Sequence, residues 1–146
     1  PAYLWYNGET ARYLMGDTID PAKVVSLNKP LGDRKDSKAR IIPFKVMRGK
    51  QPYDKALKTI AAPHLFGGYW NHFDWNRAIA DGNKAAGLPY SGQYDFVETV
   101  MYWKVNHMVA PKQAAFRCTA CHRNKGGILN WKALGYAGDP AQEPGK

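Results

Sequence analysis

Residues 117–123 of this chain read Arg-Cys-Thr-Ala-Cys-His-Arg. Cys118 and Cys121 are the only cysteines among its 146 residues, and His122 follows them directly. Two thiols three positions apart lie on one side of a helical turn, where both can bond to the vinyl groups of one haem. The adjacent imidazole is then held under the iron, and Cys-x-x-Cys-His is the attachment signature of a c-type haem. The stretch predicts one covalent haem c with His122 as its proximal ligand.

Two other roles for the cysteine pair are less well supported. A thioredoxin-like redox pair would not need the adjacent histidine, and the sequence shows no βαβ pattern. A zinc site would need a second Cys or His pair at short spacing, and the sequence has none. Haem attachment is therefore the preferred interpretation of the motif.

The composition is that of a loop-rich and aromatic-rich chain. It has 14 Gly, 10 Pro, 5 Trp, 9 Tyr and 5 Phe, so haem macrocycles would complete a core that is short of aliphatic residues. The net charge is +9, but the basic residues form no single run, so we expect no nucleic-acid partner. They form a solvated surface or pair with haem propionates. No apolar run reaches the length of a membrane-spanning helix.

The periodicity of apolar residues predicts a mainly α chain with long irregular loops and few short strands. Helices are expected over residues 53–62, 72–86 and 91–105, and Pro111 suits the first turn of a further helix that carries the cysteine motif. Alternation around Pro43 indicates an edge strand or extended segment.

We expect one haem-binding domain over residues 1–146. Residues 1–62 form a loop-rich wrapper, and residues 63–146 form a helical part that carries the histidines and the cysteine motif. The tail from Asp139 to Lys146 has two prolines and no apolar residue beyond Ala141, so it is expected to fray.

The other three histidines, His64, His72 and His107, are candidate axial ligands of haem iron. One haem needs His122 and at most one distal ligand, which leaves two histidines unexplained. Each is flanked by apolar or aromatic residues that could pack on a porphyrin face. An isolated histidine is more often a hydrogen-bonded structural residue. In a haem protein, however, the iron needs axial ligands, which favours a ligand role for these histidines. If more than one of the three binds iron, the chain contacts haems whose attachment cysteines lie elsewhere.

Several stretches around these residues resemble the C-terminal part of octahaem tetrathionate reductase-type cytochromes, which are relatives of multihaem nitrite reductase and hydroxylamine oxidoreductase. Besides the cysteine motif, the stretches are residues 3–8, 30–36, 43–54, 106–112 and 131–139. The resemblance implies a multihaem fold with mostly bis-His haems at close spacing. Family members reduce tetrathionate, nitrite or hydroxylamine at one Lys-ligated haem. This chain has one attachment motif rather than eight and lacks the region of that haem, so no catalytic residue is carried over.

The resemblance therefore implies an electron-transfer portion of a multihaem oxidoreductase whose catalytic haem lies outside this chain. Thioether attachment takes place in exported compartments, so we expect a periplasmic or extracellular location. The expected partners are the haem-bearing remainder of the protein or a partner subunit, in an oligomeric assembly, and redox partner proteins. One alternative is a stand-alone monohaem carrier, which would leave His64 and His72 as structural residues. Another is catalysis within the chain, with Lys112, Arg117 and Arg123 positioning an anion at an open haem face.

Overall fold

The computed structural model describes residues 1–106, 110–123 and 125–142. Strand exceeds helix, at 30% against 21% of the described residues. The expectation of a mainly α chain with few short strands is therefore wrong, because the longest strand alone has 15 residues. The protein is a mixed α and β structure built on one main sheet.

The described residues contain seven strands and three α-helices. The strands are β1 Ala2–Tyr6, β2 Thr10–Arg12, β3 Val25–Ser26, β4 Asn28–Pro30, β5 Arg40–Asp54, β6 Thr59–Ile60 and β7 Tyr94–Lys104. The α-helices are α1 Trp70–His72, α2 Trp75–Ala85 and α3 Cys118–Cys121. The main sheet has the order β1-β5-β7-β3, with β6 also paired to β5, and β2 pairs with β4. Within the sheet, β1 and β6 run antiparallel to β5, and β3 runs parallel to β7.

Strand β7 occupies most of the stretch that was predicted as the helix 91–105. Val97 and Thr99 are buried, whereas Phe96 and Glu98 between and beside them are exposed. This alternation has the period of two that defines a strand with one buried face. Aromatic and β-branched residues, which favour strands, make up much of β7. Its acidic residues Asp95 and Glu98 had suggested the first turns of a helix, and both are exposed on the strand.

The predicted helix over residues 53–62 is also absent. Strand β5 continues to Asp54, a turn follows, and β6 returns along it. The Asp54 carboxylate accepts the backbone N–H groups of Ala56 and Leu57, each at 2.9 Å. Such side-chain bonds compete with the helical hydrogen bonds and favour a turn. The strand predicted around Pro43 is β5, which lies between β1 and β7 and is therefore not an edge strand.

The chain forms two compact units, and β5 and β7 contribute residues to both. Unit 1 contains Pro1–Ala11, Pro30–Val46 and the described part of Tyr102–Lys146. Unit 2 contains Arg12–Lys29 and Met47–Met101. The cysteine motif therefore belongs to unit 1, and His64 and His72 belong to unit 2.

Helix α2 confirms the helix predicted over residues 72–86 and organises unit 2. Asp74 caps it by accepting the N–H of Arg77 at 3.1 Å, as an N-cap aspartate does. Buried Asn83 accepts the N–H of Ala62 at 2.8 Å and donates to the carbonyl of Pro89 at 2.9 Å. The helix thereby fixes the segments on both sides of it. The hydrophobic core of the unit lies among Ile19, Val25, Tyr53, Ile60 and Val97.

Asp54 is the one fully buried acidic residue among the described residues, with 0% exposure. Besides the two turn N–H groups, its carboxylate accepts the backbone N–H of Ser91 at 2.6 Å and the Ser91 hydroxyl at 2.8 Å. Burial raises the pKa of Asp54, but these four hydrogen bonds together outweigh burial and leave the pKa below its ordinary value. The charged carboxylate therefore stabilises the folded state.

Replacing Asp54 by Asn is expected to lower the free energy of unfolding at neutral pH by about 2 kcal/mol, because an NH2 group then faces an N–H donor. The pKa of this carboxyl is lower in the folded state than in the unfolded state, where it is about 4. The charged carboxylate therefore stabilises the folded protein at a pH above about 4, and this stabilisation is lost as the pH falls through the folded-state pKa. Urea unfolding between pH 7 and pH 3 should therefore show a weaker acid dependence in Asp54→Asn than in the parent. Asp81→Asn, at an exposed position, is the control. An unchanged acid dependence in Asp54→Asn would contradict this role.

Candidate haem-attachment site

Helix α3 presents both thiols of the cysteine motif. The His122 N–H donates to the Cys118 carbonyl at 2.8 Å, which closes one helical turn and brings the two cysteines to the same side. Both cysteines are free thiols, with Cys118 exposed and Cys121 partly exposed. The Arg117 backbone before them is extended, so the turn begins at Cys118 itself. Cys118, Cys121 and His122 thus lie on, or directly after, the single turn of α3.

The imidazole of His122 is oriented by a buried carboxylate. Its Nδ1 lies 2.6 Å from Asp139 Oδ1, and the Asp139 side chain is only 6% exposed. The same oxygen accepts the N–H of Ala141 at 3.0 Å. Burial raises the pKa of Asp139, but the hydrogen bond from His122 and that from Ala141 together bring it below its ordinary value. The carboxylate therefore stays charged, His122 carries a proton on Nδ1, and Nε2 is the nitrogen left for a metal.

An aromatic side chain covers one face of this imidazole. The ring of Trp131 stacks on His122, with centroids 5.0 Å apart and planes at 22°. Tyr136 meets Trp131 edge-on at 5.5 Å, and the Arg34 guanidinium lies 5.0 Å above the Tyr136 ring. These contacts hold the indole in place against the histidine.

The backbone between residues 131 and 136 explains why Trp131 is so well positioned. Tyr136 N–H bonds to the Trp131 carbonyl at 2.9 Å, and Gly135 N–H bonds to the Lys132 carbonyl at 3.0 Å. With Gly135 at φ 87°, this is the Schellman pattern that ends a helical turn. The carbonyl of buried Leu134 accepts the indole N–H of Trp5 at 2.9 Å, which ties the turn to β1.

The segment that follows the motif packs directly against α3. Ile128 N–H donates to the Ala120 carbonyl at 2.9 Å. A Cβ atom at Gly127 would lie only 2.7 Å from the Cys121 carbonyl oxygen, so glycine is required for this approach. The donor set of two free thiols and one imidazole with an available Nε2 therefore fits a covalently attached haem c.

His64 has a fixed backbone and an exposed imidazole in unit 2. Its N–H donates to the Ala78 carbonyl at 2.9 Å, and its carbonyl accepts the N–H of Tyr69 at 2.9 Å. A Cβ atom at Gly68 would lie 3.0 Å from the imidazole Cγ, so the glycine gives the ring its room. The imidazole of His64 is therefore exposed on unit 2.

His72 is held differently. Its Nδ1 accepts the backbone N–H of Asp74 at 3.1 Å, and its Nε2 is buried without a hydrogen-bond partner among the described residues. A neutral imidazole whose Nδ1 accepts carries its proton on Nε2 and offers no lone pair there. Iron binding by His72 therefore requires its ring to turn from this position. His107 lies outside the described residues.

Sequence reasoning missed Asp139 and Trp131, and it placed Asp139 in a frayed tail. The structure instead orders residues 139–142 against His122, with a short 3-10 turn over Pro140–Gln142. A local signal was present, since an aspartate followed by proline and, three residues on, glutamine is a typical start of a helical turn. None of the described helices is both long and apolar enough to cross a membrane.

Comparison with known proteins identifies the family. Residues 1–125 match the family described as "Cytochrome c bacterial". The solved structure of an octahaem cytochrome c from Shewanella oneidensis aligns with a TM-score of 0.91 at 48% sequence identity. The alignment covers 98% of this chain and 34% of that chain, so this chain spans about a third of the octahaem protein. No curated protein matches the sequence.

These matches confirm the resemblance to octahaem-type cytochromes that the sequence indicated. They also agree with the cysteine pair, which is consistent with one covalent haem. This chain belongs to the bacterial cytochrome c family.

Proposed function

We propose that this chain is an electron-transfer portion of a multihaem cytochrome c located in the periplasm or outside the cell. Its two units form one haem-binding domain, with one haem c on Cys118 and Cys121. Further haems are contacted through His64, His72 and His107, and electrons pass to a reductase site for tetrathionate, nitrite or hydroxylamine outside this chain. The observation that carries the proposal is that a chain with one attachment motif aligns almost entirely with a third of an octahaem cytochrome.

The residues of unit 1 have distinct parts in holding the haem. Cys118 and Cys121 would hold the haem, since each thiol would add across a vinyl group with formation of an S–C bond and transfer of the thiol hydrogen to the other vinyl carbon. The addition consumes no oxidant or reductant. His122 keeps its proton at Nδ1 toward Asp139 and turns Nε2 to the iron. A haem held there would supply a one-electron redox couple, and a second imidazole ligand would leave no open position for substrate.

An exposed aromatic cluster in unit 2 supports contact with haems anchored elsewhere. Phe66, Trp70 and Phe73 are 84%, 54% and 67% exposed, and they lie just after His64 in the sequence. Trp70 and Phe73 contact Tyr69 at centroid distances of 5.1 and 5.7 Å, so these three rings form one patch, and exposed Phe66 lies close to them in the sequence. Contiguous exposed apolar surface of this kind marks an interaction site. A porphyrin face ligated by His64 would cover it, and the net charge of +9 suits haem propionates.

The haem content separates the proposal from a stand-alone monohaem carrier. The pyridine haemochrome absorbance of the native protein, divided by the amount of this chain, should give more than one haem. The intact mass of the denatured chain should exceed that of the polypeptide by one haem, which is the number that the single cysteine motif at residues 117–123 can attach. A stable monomer that carries a single haem would favour the carrier and reject the proposal.

Replacing His64 by Ala in the native holoprotein is expected to remove an axial ligand from a haem other than the one on Cys118. One low-spin signal in the electron paramagnetic resonance spectrum should be lost and a high-spin signal of equal intensity gained, while the covalent haem count stays constant. Lys84→Ala, at an exposed position of α2, serves as the control and should leave the spectrum unchanged. An unaltered spectrum for His64→Ala would assign this histidine a structural role only.

A further inference from the structure

Two buried polar atoms beside His122 have no hydrogen-bond partner among the described residues. They are the indole nitrogen Nε1 of Trp131 and the carboxylate oxygen Oδ2 of Asp139. The first can only donate a hydrogen bond, and the second, in the charged carboxylate, can only accept one. A buried polar group left unpaired destabilises the folded state, so this complementary pair has a reason to form a bond.

Both atoms belong to side chains that contact the same imidazole. Trp131 stacks on the His122 ring at 5.0 Å, and Asp139 Oδ1 lies 2.6 Å from His122 Nδ1. A cleft of about 540 Å³ is lined by parts of Trp131 and Asp139, but the two unpaired atoms themselves are buried. Neither unpaired atom is exposed to this cleft, and each offers the hydrogen-bonding group that the other lacks.

We propose that Trp131, Asp139 and His122 form one hydrogen-bond chain in the haem-loaded protein and that this chain sets the reduction potential of the haem on Cys118 and Cys121. Trp131 Nε1 donates to Asp139 Oδ2, and His122 Nδ1 donates to Asp139 Oδ1. Asp139 and Trp131 are positioning residues, since they act on the iron only through His122. The inference rests on the proposed function, because His122 acts this way only as an iron ligand.

The two bonds to the carboxylate have opposite effects on the iron. A carboxylate that accepts from Nδ1 makes the imidazole a more basic ligand, which stabilises the oxidised iron and lowers the potential. The Trp131 N–H takes up part of the same negative charge and moderates this effect. Removing the carboxylate charge should therefore raise the potential, and removing the indole N–H should lower it. A purely structural disturbance would not give shifts of opposite sign.

The test is a spectroelectrochemical titration of the native holoprotein and its variants. The component of the haem on Cys118 is identified as the one missing when both cysteines are replaced by alanine. In Asp139→Asn, the equilibrium constant for reduction of that component should rise about tenfold, which corresponds to about 59 mV for one electron. In Trp131→Phe the component should shift in the opposite direction, and the other components should stay in place in both variants. Tyr136→Phe is the control, because the ring that contacts Trp131 is retained.

The outcomes distinguish the inference from the function on which it rests. Intact mass and haemochrome absorbance of each variant show first whether haem is attached. A parent protein without covalent haem would reject the proposed function. An attached haem whose potential is unmoved in Asp139→Asn, or moves in the same direction in both variants, would reject the hydrogen-bond chain while leaving the function intact.

Discussion

Replacing Cys118 and Cys121 together by Ala is expected to leave this chain with no covalently bound haem. No other cysteine is present to form a thioether, so the loss should be complete rather than partial. The measurement is the intact mass of the denatured chain, together with its haem-stained band after electrophoresis. Thr119→Ala is the matched control, since Thr119 lies exposed between the two cysteines and has no thiol.

Single variants refine the same prediction. With only Cys118 or only Cys121 replaced, one thioether can still form, so the haem should remain bound to the chain at reduced yield. In either single variant His122 keeps its hydrogen bond to Asp139, and its ligation of iron should persist. Retention of covalent haem in the double variant would show that the chain binds haem by a different linkage.

Replacing Gly82 by Ala is expected to give the largest loss of stability of any single substitution in helix α2. The carbonyl oxygen of Ala62 occupies the space that a Cβ atom would take, and this Cβ would also lie 2.5 Å from the His64 nitrogen and 2.8 Å from the Pro63 carbonyl carbon. These are backbone atoms, which cannot rotate away as a side chain can. We expect the free energy of unfolding to fall by about 3 kcal/mol, at the upper end for overpacking a core.

Hydrogen bonds hold residues 62–64 close to α2, so the distance between this segment and the helix cannot increase without loss of those bonds. Ala62 N–H donates to Asn83 Oδ1, and His64 N–H donates to the Ala78 carbonyl. Urea unfolding of Gly82→Ala and of Gly138→Ala provides the comparison, because a Cβ at Gly138 would meet no atom within 4 Å. In an unconstrained helix, alanine would stabilise by about 0.5 to 1 kcal/mol relative to glycine. A gain of that size in Gly82→Ala would contradict the close packing.

The features that could be predicted from the sequence are those fixed by neighbouring residues. The geometry of the cysteine motif depends on a single turn, and helix α2 has its apolar positions within eleven residues and its cap directly before them. The haem interpretation and the family resemblance followed from such local patterns. The same information could not locate Asp139, because its contact with His122 joins residues 17 positions apart.

The strands were misjudged because their stability comes from distant partners. Strand β7 has apolar residues on both of its faces, and its position between β3 and β5 in the sheet decides which of them are buried. Helix-forming residues follow the end of β5. However, the Asp54 carboxylate accepts hydrogen bonds from the N–H groups of the turn and from Ser91, and these bonds favour the turn. Tertiary contacts of this kind override the preference of a short segment for helix.

The order of the strands also has a consequence for folding. Strand β3 pairs with β7, and β1 pairs with the first part of β5, so partners are separated by long stretches of chain. Pairings of high contact order form slowly, because the loop between them must close first. In a chain that folds as it is delivered, β3 remains unpaired until residue 100 has emerged, and the cysteine motif follows soon afterwards. The main sheet can therefore be completed only when nearly all of the chain that precedes the cysteine motif is present.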